Sequence, residues 1–486
     1  MSRNLTEALA ALAERLGATH AFVCSGWRSA AVRHAVSGRG GRVVEALTAR
    51  GATMMAAAIA ELGGVPVLIA LDGEAAVQAA LGALVQARRD GARVVAVGPS
   101  PALGDEVLRE AADVTTVDRA VHGSARRGPV LVACDDPDSV AAPSPLVDAR
   151  QSGAASAGGM GGLESPPMTS VLDEVAGRLV SCARPVIVVG TGARALEDSQ
   201  WVRAFAEALP APVVVTAKAR GVIPEPHPLA LGELGGDVAS SALERADLIV
   251  TLGVEEPESV EIAWGWTAAV IEISAVPVTG APWRPATRVR GAAALVLEEL
   301  APRVKDRARA DWDMTELDAL KRRLVVARAT ARAGGPASRA GEVVALVREA
   351  TVPGTVAVFE ARWRAAASAW QCVGPGELLV PSPPGVSGSA VTGALAVREA
   401  GSERPIVCFT DAEGFAESLV ELGAREGGGE RAHGGFSIVA LERIAPSLLA
   451  AARSLGCAVM TAGDPRSVAE QAARAATGDR PVVIRG

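Results

Sequence analysis

The sequence predicts an α/β fold built from three doubly wound parallel sheets. Short β-branched runs alternate with longer Ala/Leu/Arg runs of helical period along the chain. The short runs are apolar throughout, as in parallel strands covered on both faces by helices. Two low-complexity stretches divide the chain into three blocks, and each block repeats this alternation.

The first block carries strand candidates at Ala21-Phe-Val-Cys24, Pro66-Val-Leu-Ile-Ala-Leu71, Val94-Val-Ala-Val97 and Pro129-Val-Leu-Val132. Gln151 to Pro167, rich in Gly, Ala and Ser, follows as a flexible linker. The second block carries Pro185-Val-Ile-Val-Val189, Pro212-Val-Val-Val215, Leu248-Ile-Val-Thr-Leu252 and Ala269-Val-Ile-Glu-Ile273. A charged, helix-prone run from about Lys305 to Arg332 closes it, ending in Gly334-Gly335-Pro336. The third block carries Val356-Ala-Val-Phe359, Pro405-Ile-Val-Cys-Phe409, Ser437-Ile-Val-Ala-Leu441 and Pro481-Val-Val-Ile484. The expected domains are therefore 1–150, 168–303 and 336–486.

With 486 residues, 49% of them apolar and 21% charged, each block can bury a core of its own. A net charge of −7 argues against a nucleic-acid or polybasic membrane surface. No apolar run approaches the roughly 20 residues needed to span a bilayer. The N-terminal Met1-Ser-Arg-Asn-Leu-Thr-Glu enters an amphipathic helix pattern without a signal-peptide core. The expectation is a soluble, cytoplasmic protein. The six cysteines (Cys24, Cys134, Cys182, Cys372, Cys408, Cys457) are scattered without metal-like spacing and read as buried, inert thiols. The chain has no tyrosine, a single asparagine (Asn4) and few lysines, which shortens the roll of possible catalysts.

Blocks one and three resemble each other. A small-residue helix from Gly51 to Gly64 leads to a strand that starts at Pro66 and ends in Leu71-Asp72-Gly73-Glu74. Gly388 to Gly401 has the same length, and the next strand runs from Pro405 to Thr410-Asp411-Ala412-Glu413-Gly414. The Pro-to-Asp spacing is the same in both. Two like domains flanking a different third are a specific architecture.

That architecture resembles the thiamine-diphosphate enzymes of the acetolactate synthase and 2-oxo acid decarboxylase superfamily. Their domain order is pyrimidine-binding, central, diphosphate-binding. The central block carries the resemblance best, through Ala183-Arg-Pro-Val-Ile-Val-Val-Gly-Thr-Gly192, Ala211-Pro-Val-Val-Val-Thr216, Gly221-Val-Ile-Pro-Glu-Pro-His-Pro-Leu-Ala-Leu-Gly232 and Ala246-Asp-Leu-Ile-Val-Thr-Leu-Gly253. Gly128-Pro-Val-Leu-Val132 is similar to the family's closing strand of the first domain. Ser25-Gly26-Trp27-Arg28-Ser29 sits at its first-strand turn, and Gly414-Phe415 with Glu421-Leu422 resembles the helix after the diphosphate motif.

The resemblance implies a chemistry whose residues are changed here. The family's pyrimidine-side glutamate, which drives ylid formation, aligns with Ala49, a side chain that relays no proton. Glu45, one turn upstream, reads as a solvated surface residue. The metal-binding Asp of Gly-Asp-Gly aligns with Ala412, between Asp411 and Glu413, and the paired asparagines fall near Glu442-Arg443. Asp411, Glu413 and Glu442 are weak metal candidates, since Mg²⁺ accepts carboxylates. Bare carboxylates facing a diphosphate repel it, at a cost on the order of 3–4 kcal/mol per pair about 4 Å apart. The segments from Val97 to Gly128 and beyond Glu442 are also short against the family's. On these losses the expectation is that no cofactor binds.

In the family each active site lies between the pyrimidine domain of one subunit and the diphosphate domain of another. The resemblance thus implies a homodimer or homotetramer, and leaves room for a protein partner. Arg28, Trp27 and Arg50 are expected beside the pyrimidine site, facing Asp411, Glu413 and Gly414 of a second subunit. They would form either an anion site or an intersubunit salt bridge, with the salt bridge preferred. The histidines (His20, His34, His122, His227, His433) form no ligand pair, and His227 reads as loop structure. Gly190-Thr-Gly192 is too short a match for a dinucleotide fingerprint, although some family members bind a flavin or adenine nucleotide there. Trp363 and Trp370 are expected on one helix packing face.

The leading expectation is a degenerate family member serving as a non-catalytic partner, scaffold or sensor. The competing one is a divergent thiamine-diphosphate-dependent carboligase or decarboxylase acting on 2-oxo acids, with thiamine diphosphate and Mg²⁺ as cofactors. New chemistry in the old cleft is a third, for which the sequence names no nucleophile–base pair.

Overall fold

In a computed structural model, residues 5–100, 111–115, 128–135, 169–260, 262–304, 311–331, 336–423 and 435–485 are described. The expected linker Gln151–Pro167 lies outside them. The helix-prone run that follows the second block forms a helix at Met314–Ala331.

Three parallel sheets of six strands each are present. The first contains β1 (His20–Val23), β2 (Arg42–Glu45), β3 (Val67–Ala70), β4 (Val94–Gly98), β5 (Asp113–Thr115) and β6 (Val130–Ala133). The second contains β7 (Pro185–Val189), β8 (Val213–Val215), β9 (Ala230–Glu233), β10 (Leu248–Leu252), β11 (Ala269–Ser274) and β12 (Pro285–Arg290). The third contains β13 (Val356–Phe359), β14 (Leu378–Leu379), β15 (Ile406–Thr410), β16 (Ser437–Ala440), β17 (Ala458–Thr461) and β18 (Val482–Arg485). Central strands such as β3, β4, β7, β13 and β15 are buried at every residue, which explains why their sequences do not alternate.

The strand orders carry more information than the strands do. The first sheet runs β2-β1-β3-β4-β6-β5 and the third runs β14-β13-β15-β16-β18-β17. Counted within its own block, each is 2-1-3-4-6-5, so the likeness read from the Pro-to-Asp spacing extends to topology. The second sheet, β12-β11-β10-β7-β8-β9, has the dinucleotide-fold order 3-2-1-4-5-6 in its own numbering.

The chain forms two compact units. One comprises Met1–Met160, Glu349–Arg364 and Leu379–Gly486. Within it the first and third sheets share a hydrophobic core that includes Phe22, Met55, Ile69, Val358, Leu395 and Phe415. Helices α1 (Leu5–Leu16), α2 (Trp27–Ser37), α3 (Ala49–Gly63) and α4 (Glu74–Arg89) belong to the first block. α3 packs on helix Ser389–Glu399. Their small residues permit a close approach: a Cβ added at Gly393 would lie 3.6 Å from that of Ala58 and 3.1 Å from Val358.

The other unit comprises Gly161–Arg348 and Ala365–Leu378. Its core centres on Val188, Val214, Val250 and Ile271. Trp363 and Trp370 therefore do not share a helix face. They fall in different units, the helix between them is only Arg364–Ala367, and Trp370 is fully buried. The Arg220 guanidinium donates to the Ala367 and Trp370 carbonyls and pairs with Glu225 at 2.8 Å, both partners buried.

Candidate functional site

In open α/β sheets ligands bind beyond the carboxyl ends of the strands, where the strand order reverses. In the third sheet that point lies between β13 and β15. Glu360 directly follows β13, a charged residue after four buried ones. Its carboxylate accepts the N–H groups of Gly388 (3.1 Å), Ser389 (3.2 Å) and Ala390 (3.1 Å), and the Ser389 hydroxyl (2.9 Å). These are the unsatisfied donors at the start of helix Ser389–Glu399, a place that favours negative charge. Burial, helped by nearby Asp411, nevertheless raises the Glu360 pKa to about 7.

Asp411, directly after β15, caps helix Ala412–Ser418 by accepting the Gly414 N–H at 2.8 Å. Gly414 has no room for a side chain: a Cβ there would come 2.5 Å from Glu360 Oε1. Arg362, in the single 3-10 turn Ala361–Trp363 after β13, reaches Glu442 at 2.8 Å and Asp411 at 3.9 Å. Glu413 accepts from the Ser387 hydroxyl at 3.0 Å. Arg50, the second residue of α3, pairs with Glu417 and donates to the Ser387 carbonyl.

Of the residues singled out from sequence, Arg50, Asp411, Glu413 and Gly414 thus gather around Ser387 and the start of helix Ser389–Glu399. Arg50 meets its acid within its own chain. Arg28 lies elsewhere, at the switch point of the first sheet. Its guanidinium donates to the Cys134 carbonyl at 2.9 and 2.6 Å and stacks on Trp27, 4.2 Å from the ring centroid. Asp72, at the end of β3, accepts from Arg28 N (3.0 Å), Ser29 N (3.1 Å) and Ser29 Oγ (2.7 Å), capping α2. Glu45 pairs with Arg33 at 2.6 Å, both half exposed.

At Ala49 the structure supplies a carboxylate from another block. Glu421, 3% exposed, accepts from Leu47 N, Thr48 N and Thr48 Oγ, so it braces the start of α3 beside Ala49. Sequence reasoning passed over Glu360, Arg362, Ser387, Glu417 and this use of Glu421. Only Glu360 left a signal, as a lone charge at the end of an apolar strand.

The metal candidates are each engaged: Asp411 as a cap, Glu413 on Ser387 and Glu442 on Arg362. Among the described residues no group of three or more His, Cys, Asp or Glu is placed to hold a metal ion. Asp411 and Glu442 do share one cation, the Arg362 guanidinium. Mg²⁺ needs only one or two protein carboxylates when phosphates and water complete its shell. Asp411 and Glu442 therefore fit a cation completed by phosphate and water, while the N–H groups of the helix start are taken by Glu360.

In the second sheet, Gly190, Gly192 and Gly253 serve the close approach of two turns. Gly192 N donates to Gly253 O at 2.8 Å, and a Cβ on Gly190 would lie 2.3 Å from Val254 Cα. The turn's Thr191 N–H and hydroxyl go to Glu258, at 3.0 and 2.9 Å. His227 is a loop residue bonded to Glu207 at 3.0 Å. Cys134, Cys372, Cys408 and Cys457 are buried, and burial raises the Cys24 thiol to about 11 and that of Cys372 to about 12.

The family description "Thiamine pyrophosphate enzyme, N-terminal TPP binding domain" matches residues 3–117, and "Thiamine pyrophosphate enzyme, central domain" matches residues 172–300. A putative acetolactate synthase large subunit of Mycobacterium tuberculosis is 37% identical over 139 residues, 26% of this chain and 24% of that protein. The chloroplastic acetolactate synthase 1 of Zea mays is 34% identical over 151 residues, 29% of this chain and 23% of that protein. The chain thus spans about a quarter of the length of these relatives. A thiamine diphosphate-dependent 4-hydroxybenzoylformate decarboxylase of Rhodococcus jostii has the same fold, with a TM-score of 0.72 at 17% identity over 99% of this chain and 98% of that one. Benzoylformate decarboxylase from Polynucleobacter necessarius follows with a TM-score of 0.66.

These matches correct the expectation that no cofactor binds. The cofactor-binding domain description covers the very block whose Ala49 prompted it. Losing one proton-relay carboxylate removes a chemical function and leaves the binding surface. The electrostatic premise also fails, because Asp411 and Glu442 both face the Arg362 guanidinium, at 3.9 and 2.8 Å, rather than standing as bare charges. The chain belongs to the thiamine-diphosphate-dependent enzyme superfamily.

Proposed function

We propose that the protein is a divergent carboligase or decarboxylase of the acetolactate synthase type, acting on 2-oxo acids with thiamine diphosphate and Mg²⁺. The observation that carries this is the pair of like sheets in one unit, the first of them matched by the cofactor-binding domain description. Domains 1–150, 168–303 and 336–486 then act as pyrimidine-binding-like, central and diphosphate-binding-like parts. A cytoplasmic homodimer or homotetramer goes with this reading. No helix among the described residues is long and apolar enough to cross a membrane.

When bound, thiamine diphosphate supplies the electron sink that a 2-oxo acid needs to lose CO₂. The chain's own contribution is positioning. Arg50 and Arg362 supply the positive charge that an anion needs beside the helix start, whose Gly388, Ser389 and Ala390 N–H groups are held by Glu360. Asp411 and Glu442 receive the cation, while Glu413 and Gly414 shape the approach through Ser387 and Glu360. Arg28 holds the first-sheet switch point in shape. Ala49 holds no proton, so activation of the cofactor rests on groups other than residue 49.

The test is CO₂ release from pyruvate and from benzoylformate by the full chain, with and without thiamine diphosphate and Mg²⁺. Cofactor-dependent release from either supports the reading. No release from any 2-oxo acid tried, with the cofactor shown to be bound, defeats it.

A further inference from the structure

The second sheet has the dinucleotide-fold strand order, and its order reverses between β7 and β10. In that fold the phosphate of a bound ligand takes the N–H groups of the turn after the first strand. Here the turn serves an anion of the chain itself. The Thr191 N–H and hydroxyl donate to Glu258 Oε2 at 3.0 and 2.9 Å, and the Glu255 N–H, beyond β10, donates to the same oxygen at 3.0 Å. The Thr216 hydroxyl, directly after β8, donates to Glu258 Oε1.

Two N–H groups and two hydroxyls, from the carboxyl ends of the three neighbouring strands β10, β7 and β8, thus converge on one carboxylate. Gly190 makes room for it: a Cβ there would come 2.7 Å from Glu258 Oε2. Glu258 is half-buried, so the place it fills can be reached from solvent. The crevice is built around an anion and already holds one.

We propose that Glu258 is a tethered stand-in for phosphate that closes the second block to nucleotides and other phosphate-bearing ligands, and that the same place binds phosphate once the carboxylate is removed. Hydroxyl and N–H donors serve a phosphate oxygen as well as a carboxylate oxygen. An incoming phosphate must displace a group that is held in place by the chain, at high effective concentration, and must approach its like charge. This closure does not depend on the cofactor reading, which concerns the first and third sheets.

Inorganic phosphate and ADP are titrated calorimetrically into the full chain, as parent, Glu258→Ala and Glu258→Gln. Melting is followed in phosphate and in chloride at equal ionic strength. Glu258→Ala is expected to gain one phosphate site at least tenfold tighter than any the parent shows there, and Glu258→Gln, which drops the charge and keeps the length, to gain less. Adding Thr216→Val to Glu258→Ala is expected to weaken the gained site tenfold, which locates it. Glu258→Ala also loses a shared acceptor, so its midpoint is expected to fall and to be restored by phosphate more than by chloride. Neither variant gaining affinity overturns the proposal, as does a destabilised Glu258→Ala that phosphate restores no better than chloride. Binding of phosphate or ADP to the parent that Thr216→Val weakens overturns it too.

Discussion

Glu421 and Thr48, 373 residues apart in sequence, are joined twice: the Glu421 carboxylate accepts the Thr48 N–H at 3.0 Å and its hydroxyl at 2.6 Å. The Thr48 oxygen in turn accepts the Gly51 N–H at 2.9 Å, so one acid and one cap fix the start of α3. Replacing Glu421 with Ala removes the shared acceptor of the Leu47 and Thr48 donors, which are exposed and half-buried and so open to water. The expected loss is about 2 kcal/mol in urea unfolding, against about 1 kcal/mol for Thr48→Ala.

Gly51 gives a test of sign. A helical Gly→Ala change ordinarily stabilises by about 1 kcal/mol. Here the new Cβ would come 2.1 Å from Glu421 Oε1. Gly51→Ala is therefore expected to destabilise by about 1–3 kcal/mol, and to become neutral or stabilising in a Glu421→Ala background. A double-mutant cycle of unfolding free energies measures that coupling.

Glu360 sets a pH dependence. Its folded pKa is raised to about 7 from an ordinary 4.5, mainly by burial. Between those values the folded chain binds more protons than the unfolded one, so this residue's contribution to stability falls as pH rises. The loss is on the order of 2–4 kcal/mol across that window. Glu360→Gln cannot titrate, and the difference between parent and variant stability is expected to vary over this range and level off above pH 8. Melting temperatures of the two from pH 4.5 to 8.5 check this.

The strands were legible in sequence because parallel strands buried on both faces are written as unbroken apolar runs. The kinship of the first and third blocks was legible in one spacing, Pro66 to Asp72 against Pro405 to Asp411. The site was legible only in part. Asp411 and Gly414 stand at a strand end that local pattern locates, and Arg50 stands at a helix start. What Glu421, Glu360 and Arg362 do depends on partners 28 to 374 residues away, and periodicity says nothing about which acid reaches which amide. That is also why Ala49 and Ala412 misled: a missing side chain is visible in sequence, while the donors and counter-charges around it are not.

The buried Arg220–Glu225 pair predicts a large effect in the other unit. Glu225→Ala would leave the Arg220 guanidinium, 7% exposed, without its acid. The expected cost is about 3–5 kcal/mol in denaturant unfolding, whereas Glu207→Ala, at an exposed ion pair with Arg203, is expected to cost less than about 1 kcal/mol.

Calorimetric titration of the full chain with thiamine diphosphate in millimolar Mg²⁺ tests the central claim most directly. Saturable binding is expected, with a rise in unfolding free energy of about 2.7 kcal/mol at a hundredfold excess over Kd. Arg50→Ala or Arg362→Ala is expected to weaken that binding. A flat titration, with no shift of the unfolding midpoint at millimolar cofactor, would contradict it.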